Sequence, residues 1–336
     1  MSEIFFLISI FFAFNFLILI NFKKIEKKIF IFDRPDKKLK KHRHPVSLLG
    51  GSIILVNLYL IIFSLKLFNL DNSIFDENFT FMIILLSTLF YIVGLVDDIK
   101  NLDHNKKLLF LILSVIFVIY LFPEIKLEVI KISFLQKNYF FHFSFFFMIL
   151  SFALLANAMN MFDGINLQLI LFTSFVFMIF IIKGFLPIFF ILLLICFVFL
   201  GILNYRNQIF LGDGGAYLIS AILGITFIYQ YKNFNNFLLG DEVFIILIIP
   251  ALDMLRLFII RLIKKKHPFK GDLNHLHHIV FKFTKNNNLT IAISLLLSMF
   301  PTFLLLLNIK TYFIFAFTLA IYIALIIYCK ARTKKY

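Results

Sequence analysis

Long apolar runs separated by short polar stretches are the dominant pattern along this chain of 336 residues. A helix crosses a bilayer with about 20 consecutive apolar residues, and eleven runs approach or reach that length. The runs do not alternate apolar and polar residues as the strands of a membrane barrel do. The pattern therefore predicts an all-α polytopic membrane protein with about 11 transmembrane helices. The runs are Ile4–Phe22, Val46–Phe68, Phe79–Val96, Leu108–Phe122, Phe143–Asn160, Leu167–Ile182, Phe185–Leu203, Ala216–Tyr231, Val243–Ile263, Leu289–Leu307 and Tyr312–Cys329.

The composition agrees with lipid as the main solvent of the chain. Hydrophobic residues make up 62% of it and aromatic residues 18%, which is more apolar surface than a soluble fold can bury. No small-residue cleavage site follows the first run, so we interpret it as a retained span and not as a signal peptide. Cys196 and Cys329 both lie in apolar runs, so we expect no disulfide framework. We interpret residues 1–336 as a single membrane domain.

The distribution of basic residues predicts the orientation in the membrane. The formal charge is +15, and 26 of the 33 Lys and Arg residues fall on one side of the predicted spans. Because the more positive side stays cytoplasmic, we expect the N-terminus outside and the C-terminus in the cytoplasm. The charge then indicates loops beside anionic lipid headgroups, and we expect no nucleic-acid partner. The cytoplasmic loops with polar motifs are about 23–45, 97–107, 157–166, 204–215 and 264–288.

The first polar motif is the acidic pair Asp97 and Asp98 at the end of the third run. A carboxylate in hydrocarbon is costly unless water, a cation or a partner takes it up. Adjacent helix residues point about 100° apart, so one carboxylate can bind a cation while the other faces a substrate or a lysine. Such oxygen ligands suit Mg²⁺, which usually binds one or two carboxylates together with substrate phosphates. An ordinary helix end with solvated acids is the alternative.

The second motif is "NAMNMFDGIN" at 157–166. Asn157, Asn160 and Asp163 are spaced by three residues, so in a helix they would line one inclined stripe and offer donors and acceptors to a nucleotide or a sugar. A polar helix terminus with a stop at Gly164 is the alternative.

The third motif is "FLGDGG" at 210–215, in which glycines flank Asp213. Glycine permits close backbone approach, so main-chain N–H groups could cradle a phosphate while Asp213 holds its metal. Phe210 could stack on a base. A plain tight turn is the alternative, although such a turn needs no aspartate.

The fourth motif, "KKKHPFKGDLNHLHHIVF" at 264–281, combines lysines with His267, His275, His277 and His278. His275 and His278 would share one face of a helix. Because no cysteine lies nearby, zinc fits less well than imidazoles and lysines that gather phosphate oxygens. We interpret 264–266 as a solvated basic loop.

One acid falls inside a predicted span. Asp253 follows Pro250 in the ninth run, and such an acid needs a partner. We expect Arg256 or Arg261 on the same helix to be that partner, and we interpret the pair as structural support.

The motifs "VDDIKN", "NAMNMFDGIN", "FLGDGG" and "DLNHLHH", in this order, resemble the polyprenyl-phosphate N-acetylhexosamine-1-phosphate transferase family. That family starts O-antigen, enterobacterial common antigen and teichoic acid precursors and is related to the phospho-N-acetylmuramoyl-pentapeptide transferase. The loop "DRPDKKLKKHRHPVSLLGG" at 33–51 is similar to the family's first cytoplasmic loop.

The resemblance implies an eleven-span enzyme of the bacterial inner membrane with a cytoplasmic active site. Such an enzyme moves a sugar 1-phosphate from a UDP-sugar to a polyprenyl phosphate, releases UMP and requires Mg²⁺, with Mn²⁺ as an alternative. By match of motif, Asp97 and Asp98 fall on the aspartate-rich motif, Asp213 on the metal-binding aspartate and Phe210 on the position that packs against uracil. The asparagine motif becomes the nucleotide site, and "HLHH" becomes the histidine motif.

The chain departs from the family at several positions. Where the family commonly reads DGIDGL, this chain has "DGINLQ" at 163–168, so Asn166 replaces a second aspartate. Ala216 stands where serine is usual, and Ser47 where proline is common. The muramoyl-pentapeptide branch fits less well, because its histidine motif usually has three consecutive histidines.

The chemistry would join two anions, so their repulsion must first be offset. We expect Asp213 and one of Asp97 and Asp98 to hold Mg²⁺, while Lys107 and the histidines neutralise other oxygens. The lipid phosphate is mostly ionised at pH 7, which favours direct attack over a covalent aspartyl intermediate. The predicted catalytic residues are Asp97, Asp98, Asp163 and His277, the substrate-binding residues Asn157, Asn160, Phe210, Lys107, His275 and His278, and the metal ligands Asp98 and Asp213.

Two other classes of function stay open at this point. A transporter or flippase of anionic lipid would carry charges near the bilayer midplane on broken helices, whereas these acids cluster at one predicted boundary. A membrane scaffold would not need the ordered motifs. The sugar, the polyprenyl chain length and the oligomeric state, for which a homodimer is one option, are left open.

Overall fold

The computed structural model describes residues 2–33, 44–70, 77–135, 137–140, 142–234, 238–267 and 274–333. Much of the predicted first loop and the "PFKGDL" part of the fourth motif lie outside these residues. The described elements are mostly helical, as predicted. The helices are α1 Ser2–Ile29, α2 Gly50–Leu67, α3 Glu77–Lys100, α4 His104–Leu121, α5 Ser144–Phe162, α6 Gln168–Ile182, α7 Pro187–Tyr205, α8 Gly212–Asn233, α9 Gly240–Ile246, α10 Ile248–Ile263, α11 Leu276–Thr284, α12 Asn287–Leu306 and α13 Thr311–Thr333.

Each of the eleven apolar runs corresponds to helix in the structure. Within the described residues, nine helices are long and apolar enough to cross a membrane, and α9 with α10 makes a tenth if the two count as one span. The sixth run forms α6, which has only 15 residues. Many large apolar side chains on these helices are exposed, such as Phe63, Leu296 and Ile327. Lipid as the solvent explains that exposure, and the fold is that of an all-α polytopic membrane protein.

The ninth run is broken, whereas the sequence predicts one span over Val243–Ile263. Its two helices meet at an angle of 77° at Leu247. Proline has no N–H to donate to the carbonyl four residues earlier, and its ring clashes with that carbonyl. Pro250 therefore cannot continue a helix through Ile246 and lies instead in the first turn of α10.

Two short antiparallel sheets complete the elements within the described ranges. Strand β1, Phe32–Asp33, pairs with β2, Val46–Ser47. Strand β3, Val129–Ile132, pairs with β4, Lys137–Phe140, so that Val129 faces Phe140.

The chain divides into two compact units, residues 1–123 with 173–226 and residues 124–172 with 227–336. The interpretation of 1–336 as a single domain stays a prediction. In the first unit, α7 packs against α1 and α2, and α3 packs against α2 and α4. Buried phenylalanine rings such as Phe177, Phe190 and Phe197 fill this core. Asn15 and Asn57 exchange amide hydrogen bonds of 2.9 and 3.2 Å between α1 and α2, which stabilises helix packing in lipid.

In the second unit, α5 packs against α10, and α11 packs against α12 and α13. One face of α12 presents buried small hydroxyl residues at every fourth position: Thr290, Ser294, Ser298 and Thr302. Side chains of this size allow helices to approach closely. The β3–β4 hairpin is tied to α9 by Asp241, which accepts a 2.9 Å hydrogen bond from the Ser133 main chain.

Candidate active site

Three aspartates and one lysine meet in the first unit where three helices end or begin. We call Asp97, Asp98, Lys107 and Asp213 the carboxylate cluster. The acidic pair lies in the last turn of α3, Lys107 in the first turn of α4, and Asp213 in the first turn of α8. The sequence predicted functional roles for all four residues, and the structure brings them together.

Lys107 lies between two of the carboxylates. Its Nζ forms an ion pair with Asp97 Oδ2 and donates a 3.0 Å hydrogen bond to Asp213 Oδ2. The other Asp97 oxygen accepts a 2.7 Å hydrogen bond from the Leu102 main-chain N–H. Like charges this close repel one another, so the ammonium holds the two carboxylates together. The predicted contact of Lys107 with phosphate oxygens stays a prediction.

Asp98 caps the N-terminus of α8. Its carboxylate accepts hydrogen bonds of 2.9 Å from the Asp213 N–H and 3.1 Å from the Gly214 N–H. These N–H groups belong to the first turn, where the helix itself supplies no acceptor and the helix dipole favours negative charge. Asp98 thereby holds the backbone that carries Asp213. A further role of Asp98 as a metal ligand stays a prediction.

Close backbone approach also fixes the "FLGDGG" motif. A Cβ atom at Gly94 of α3 would overlap the main chain of Asp213 and Gly214. A Cβ atom at Gly51 of α2 would lie 2.6 Å from the Gly215 nitrogen, which real Cβ atoms do not do. Only glycine allows α8 to start this close to α2 and α3.

The first loop contacts the same motif through its main chain. Phe210 N–H donates a 2.8 Å hydrogen bond to the Ser47 carbonyl, and Gly50 N–H donates one of 3.1 Å to the Phe210 carbonyl. The family commonly has proline where this chain has Ser47. Both residues have a main-chain carbonyl, so either can accept the hydrogen bond from Phe210. The Phe210 side chain is half-buried, and its stacking on uracil stays a prediction.

The charge balance of the carboxylate cluster favours a divalent cation. Three carboxylates are paired with one ammonium, so negative charge is left in excess. Asp213 is the more accessible of the two carboxylates that Lys107 pairs with, with 26% of its side chain exposed against 7% for Asp97. Nowhere in the described ranges do three or more His, Cys, Asp or Glu residues form a set that could hold a metal. The carboxylate oxygens are donors of the kind that bind Mg²⁺ together with phosphate oxygens and water.

In the second unit, α5 carries the asparagine motif at its C-terminal end. Asn157 and Asn160 lie within the last turns, and Asp163 is the C-cap residue, with its N–H bonded to the Met159 carbonyl at 3.0 Å. The predicted stripe therefore leaves the helix at Asp163. Asn157 donates a 2.7 Å hydrogen bond to the Ala153 carbonyl of its own helix.

The turn that follows is strained in this chain. Leu167 has φ +68°, a left-handed conformation that costs about 1–2 kcal/mol for a residue with a Cβ atom. The family has glycine at this position, which adopts such a φ without that cost. The next residue, Gln168, is buried, and neither atom of its amide has a hydrogen-bond partner among the described residues.

The three histidines of "HLHH", which we call the histidine cluster, surround the start of α11. His275 is the N-cap residue with extended backbone, while His277 and His278 lie in the first turn. His275 precedes the helix as its N-cap residue, and its ring centroid lies 6.2 Å from that of His278, so the two side chains are neighbours. The His277 and His278 ring centroids are 4.2 Å apart.

His277 packs directly on the asparagine motif. A Cβ atom at Gly164 would overlap the imidazole, so the ring occupies the space that a larger side chain would need. His277 is 3% exposed, and its Nε2 has no hydrogen-bond partner within the described ranges. Burial, together with the neighbouring His278 and His275, lowers the pKa of His277 well below its usual range. The lowered pKa favours the uncharged imidazole at neutral pH.

Beside the histidine cluster, one predicted ion pair is present. Two residues that the sequence analysis did not single out also lie near the clusters. Asp253 pairs with Arg256 at 2.7 Å, one of its two predicted partners. Tyr322 of α13 also donates a 2.7 Å hydrogen bond to Asp253, and the sequence analysis did not single it out. Gly94 was missed as well. The available signals were a polar aromatic residue inside an apolar span and a glycine three residues before the acidic pair.

Comparison with known proteins shows what this chain is similar to. Residues 80–231 match the model of glycosyl transferase family 4, a region that contains the acidic pair, the asparagine motif and "FLGDGG". The ordered motifs, this match and a relative along nearly the whole chain all support a likeness to glycosyl transferase family 4.

That relative is the undecaprenyl-phosphate alpha-N-acetylglucosaminyl 1-phosphate transferase of Thermotoga maritima. It is 28% identical over 314 residues, which cover 90% of each chain. Proteins of the same name from Salmonella typhi and Salmonella typhimurium are 31% identical over 83 residues, or 25% of this chain and 23% of theirs.

Proposed function

We propose that this protein transfers an N-acetylhexosamine 1-phosphate from a UDP-sugar to a polyprenyl phosphate, and releases UMP, at the cytoplasmic face of a bacterial inner membrane. The product would start a cell-envelope glycan such as O-antigen. The observation that carries the proposal is the carboxylate cluster, in which three aspartates surround one lysine at the ends of apolar helices. The name of the Thermotoga maritima relative supports undecaprenyl phosphate and UDP-N-acetylglucosamine as the first substrates to test.

The reaction brings a lipid phosphate to a nucleotide diphosphate, so both substrates are anions. Asp213, with Asp97 beside it, would hold Mg²⁺. When bound, that ion would offset the negative charge of the diphosphate. Lys107 spaces the two carboxylates, and Asp98 fixes the first turn of α8 so that Asp213 keeps its place.

The attacking oxygen belongs to the lipid phosphate. A phosphate monoester has its second pKa near 6, so it is mostly ionised at pH 7 and needs no strong base. Asp97 or Asp98 would accept the remaining proton. We therefore propose direct attack on the sugar-bearing phosphorus. The asparagine motif would supply hydrogen bonds to the nucleotide or sugar, and His277 would do so as a neutral donor or acceptor.

The test is UMP release by the purified protein from a panel of UDP-sugars with polyprenyl phosphate and Mg²⁺. We expect release with at least one UDP-amino sugar, loss of release on chelation, and its return when Mg²⁺ or Mn²⁺ is added back. Failure with every sugar, combined with sugar-independent movement of lipid across vesicles, would favour a transporter.

A second experiment separates the two chemical routes. Direct attack predicts that no radiolabelled sugar phosphate stays on the protein when UDP-sugar is supplied without lipid. Covalent label that is released by polyprenyl phosphate would instead establish an aspartyl intermediate.

A further inference from the structure

The start of the histidine helix α11 is held by an acid of another helix in the same unit. Both carboxylate oxygens of Asp253, on α10, accept the Leu276 main-chain N–H at 3.2 Å. Leu276 is the first residue of α11, and its N–H has no acceptor within that helix. His275 adds a weaker contact, because its Nδ1 lies 3.5 Å from Asp253 Oδ2 without hydrogen-bond geometry.

Arg256 extends this contact to the residue before the histidines. One nitrogen of its guanidinium donates to Asp253 at 2.7 Å and to the Asn274 carbonyl at 2.7 Å. The main chain on both sides of His275 is therefore bound to one ion pair, at Asn274 and at Leu276. The planar guanidinium fixes the directions in which it binds these acceptors, whereas a lysine ammonium is a flexible point charge.

Tyr322 of α13 completes the arrangement. Its hydroxyl donates to Asp253 at 2.7 Å and accepts from Arg256 Nε at 2.8 Å. Tyr322 is 3% exposed and Asp253 is 6% exposed. A buried ion pair is costly to form, and loss of one partner leaves a buried charge without compensation. Packing of helices does not by itself require a buried ion pair. This ion pair also contacts the main chain beside the histidines, which indicates a role in placing them.

We propose that Asp253, Arg256 and Tyr322 are positioning residues of the histidine cluster, which set the start of α11 so that His277 stays seated against Gly164. The part of the inference that concerns turnover rests on the proposed function. The part that concerns the seating of His277 does not.

The experiment compares Tyr322→Phe with Thr318→Val in the full-length protein in detergent. The first variant removes the hydroxyl between Asp253 and Arg256 and keeps the ring. The second removes a hydroxyl one turn earlier on α13 from a residue that is 2% exposed. Within the part of the chain that the structure describes, that hydroxyl has no hydrogen-bond partner. The two changes are matched in helix and burial.

The first readout is the rate at which diethyl pyrocarbonate modifies each histidine, resolved by tandem mass spectrometry. In the unmodified protein, buried His277 should react more slowly than half-buried His278. Tyr322→Phe should raise the His277 rate about tenfold, equivalent to about 1.4 kcal/mol of easier opening. Thr318→Val should leave that rate within about twofold. A His277 rate that does not change in Tyr322→Phe, or that changes equally in both variants, would overturn the proposal.

The second readout is steady-state kinetics with the UDP-sugar that supports UMP release. Tyr322→Phe should lower kcat about tenfold and leave KM for the UDP-sugar nearly unchanged, since the proposed function gives His277 a role in turnover and the variant shifts that ring without unfolding the protein. Asp253→Asn is a stronger change and should raise the His277 modification rate further than Tyr322→Phe does. If Asp253→Asn does not fold, the tyrosine variant still decides the question.

The two proposals fail in different ways. If no UDP-sugar supports turnover, the proposed function fails while the modification rates still test the positioning. If Tyr322→Phe lowers kcat without raising the His277 rate, the positioning proposal fails and the enzyme assignment stands.

Discussion

The carboxylate cluster and the histidine cluster contain buried charge in different balance. The first contains three aspartates and one lysine. Lys107 pairs with Asp97 and Asp213, and Asp98 accepts hydrogen bonds from main-chain N–H groups at the start of α8. Beside the histidine cluster, among the described residues, Asp253 is paired with Arg256, and burial lowers the pKa of His277. An excess of negative charge invites a cation from outside the chain, whereas a balanced arrangement fixes geometry. Under the proposed function, the first cluster would neutralise charge and the second would place hydrogen-bonding groups.

The largest effect should follow from a change in the charge of the carboxylate cluster. Asp213→Asn removes a predicted metal ligand and should lower kcat/KM for the UDP-sugar about 10³-fold, or about 4 kcal/mol. Asp98→Asn should also cost orders of magnitude, because it weakens the cap that holds Asp213. Thermal unfolding in detergent should show both proteins folded.

The control for these charge changes is Asp103→Asn. Asp103 is the exposed N-cap residue of α4, in the same loop, and asparagine caps a helix as well as aspartate does. Its activity should stay near that of the unmodified protein. Near-normal turnover in Asp213→Asn would remove the metal assignment from that residue.

The glycine contacts test whether close packing fixes the carboxylate cluster. Gly94→Ala places a methyl group into the main chain of Asp213 and should destabilise the protein by about 1–3 kcal/mol and impair turnover. Gly214→Ala is the matched comparison, because its Cβ would meet neighbours at 3.3–3.4 Å and needs only small adjustments. Thermal unfolding and UMP release of both variants give the measurement. Equal effects of the two substitutions would contradict the proposed contact.

A double-mutant cycle tests the contact between His277 and Gly164. Gly164→Ala alone should lower the thermal stability, because the methyl group overlaps the imidazole. His277→Ala removes the ring, so the double variant should be more stable than the sum of the single effects predicts, by about 1 kcal/mol or more. Strictly additive effects would show that the two residues do not touch in solution.

The smallest effect concerns the pH dependence of stability. Burial lowers the pKa of His277 in the folded protein, whereas in the unfolded chain it lies near the ordinary histidine value of about 6.5. The unfolded state therefore binds the proton more readily below about pH 6.5, and the stability falls as pH decreases from there, by at most about 1.4 kcal/mol per pH unit. His277→Asn should remove this part of the loss when unfolding is compared at pH 7.5 and pH 5.5. An unchanged difference between the two pH values would show that His277 is protonated in the folded state.

Leu167, where the chain departs from the pattern of the family it resembles, shows how local sequence and tertiary packing can disagree. The left-handed φ at that residue favours glycine, and leucine carries the cost. The local pattern "DGINLQ" does not predict a left-handed conformation for Leu167. The surrounding turn imposes that conformation.

The sequence by itself determined the solvent and the chemistry of this protein. Runs of about 20 apolar residues require lipid and helices, since unpaired main-chain groups are too costly in hydrocarbon. Acidic, asparagine and histidine motifs at the ends of those runs indicated where a polar site lies. The place of Asp253 inside an apolar run predicted that it has a charged partner. These properties follow from local composition and spacing, which a single chain displays directly.

Only the tertiary structure decided which of these groups touch. Lys107 contacts Asp213, Asp98 caps α8 at Gly214, and Tyr322 contacts Asp253. The residues of these three pairs are 106, 116 and 69 positions apart. The burial of His277 against Gly164, which sets its protonation state, is equally non-local. Helical periodicity specifies the face that a residue occupies but not the neighbour that face will meet, because packing and charge pairing are settled only when the helices assemble.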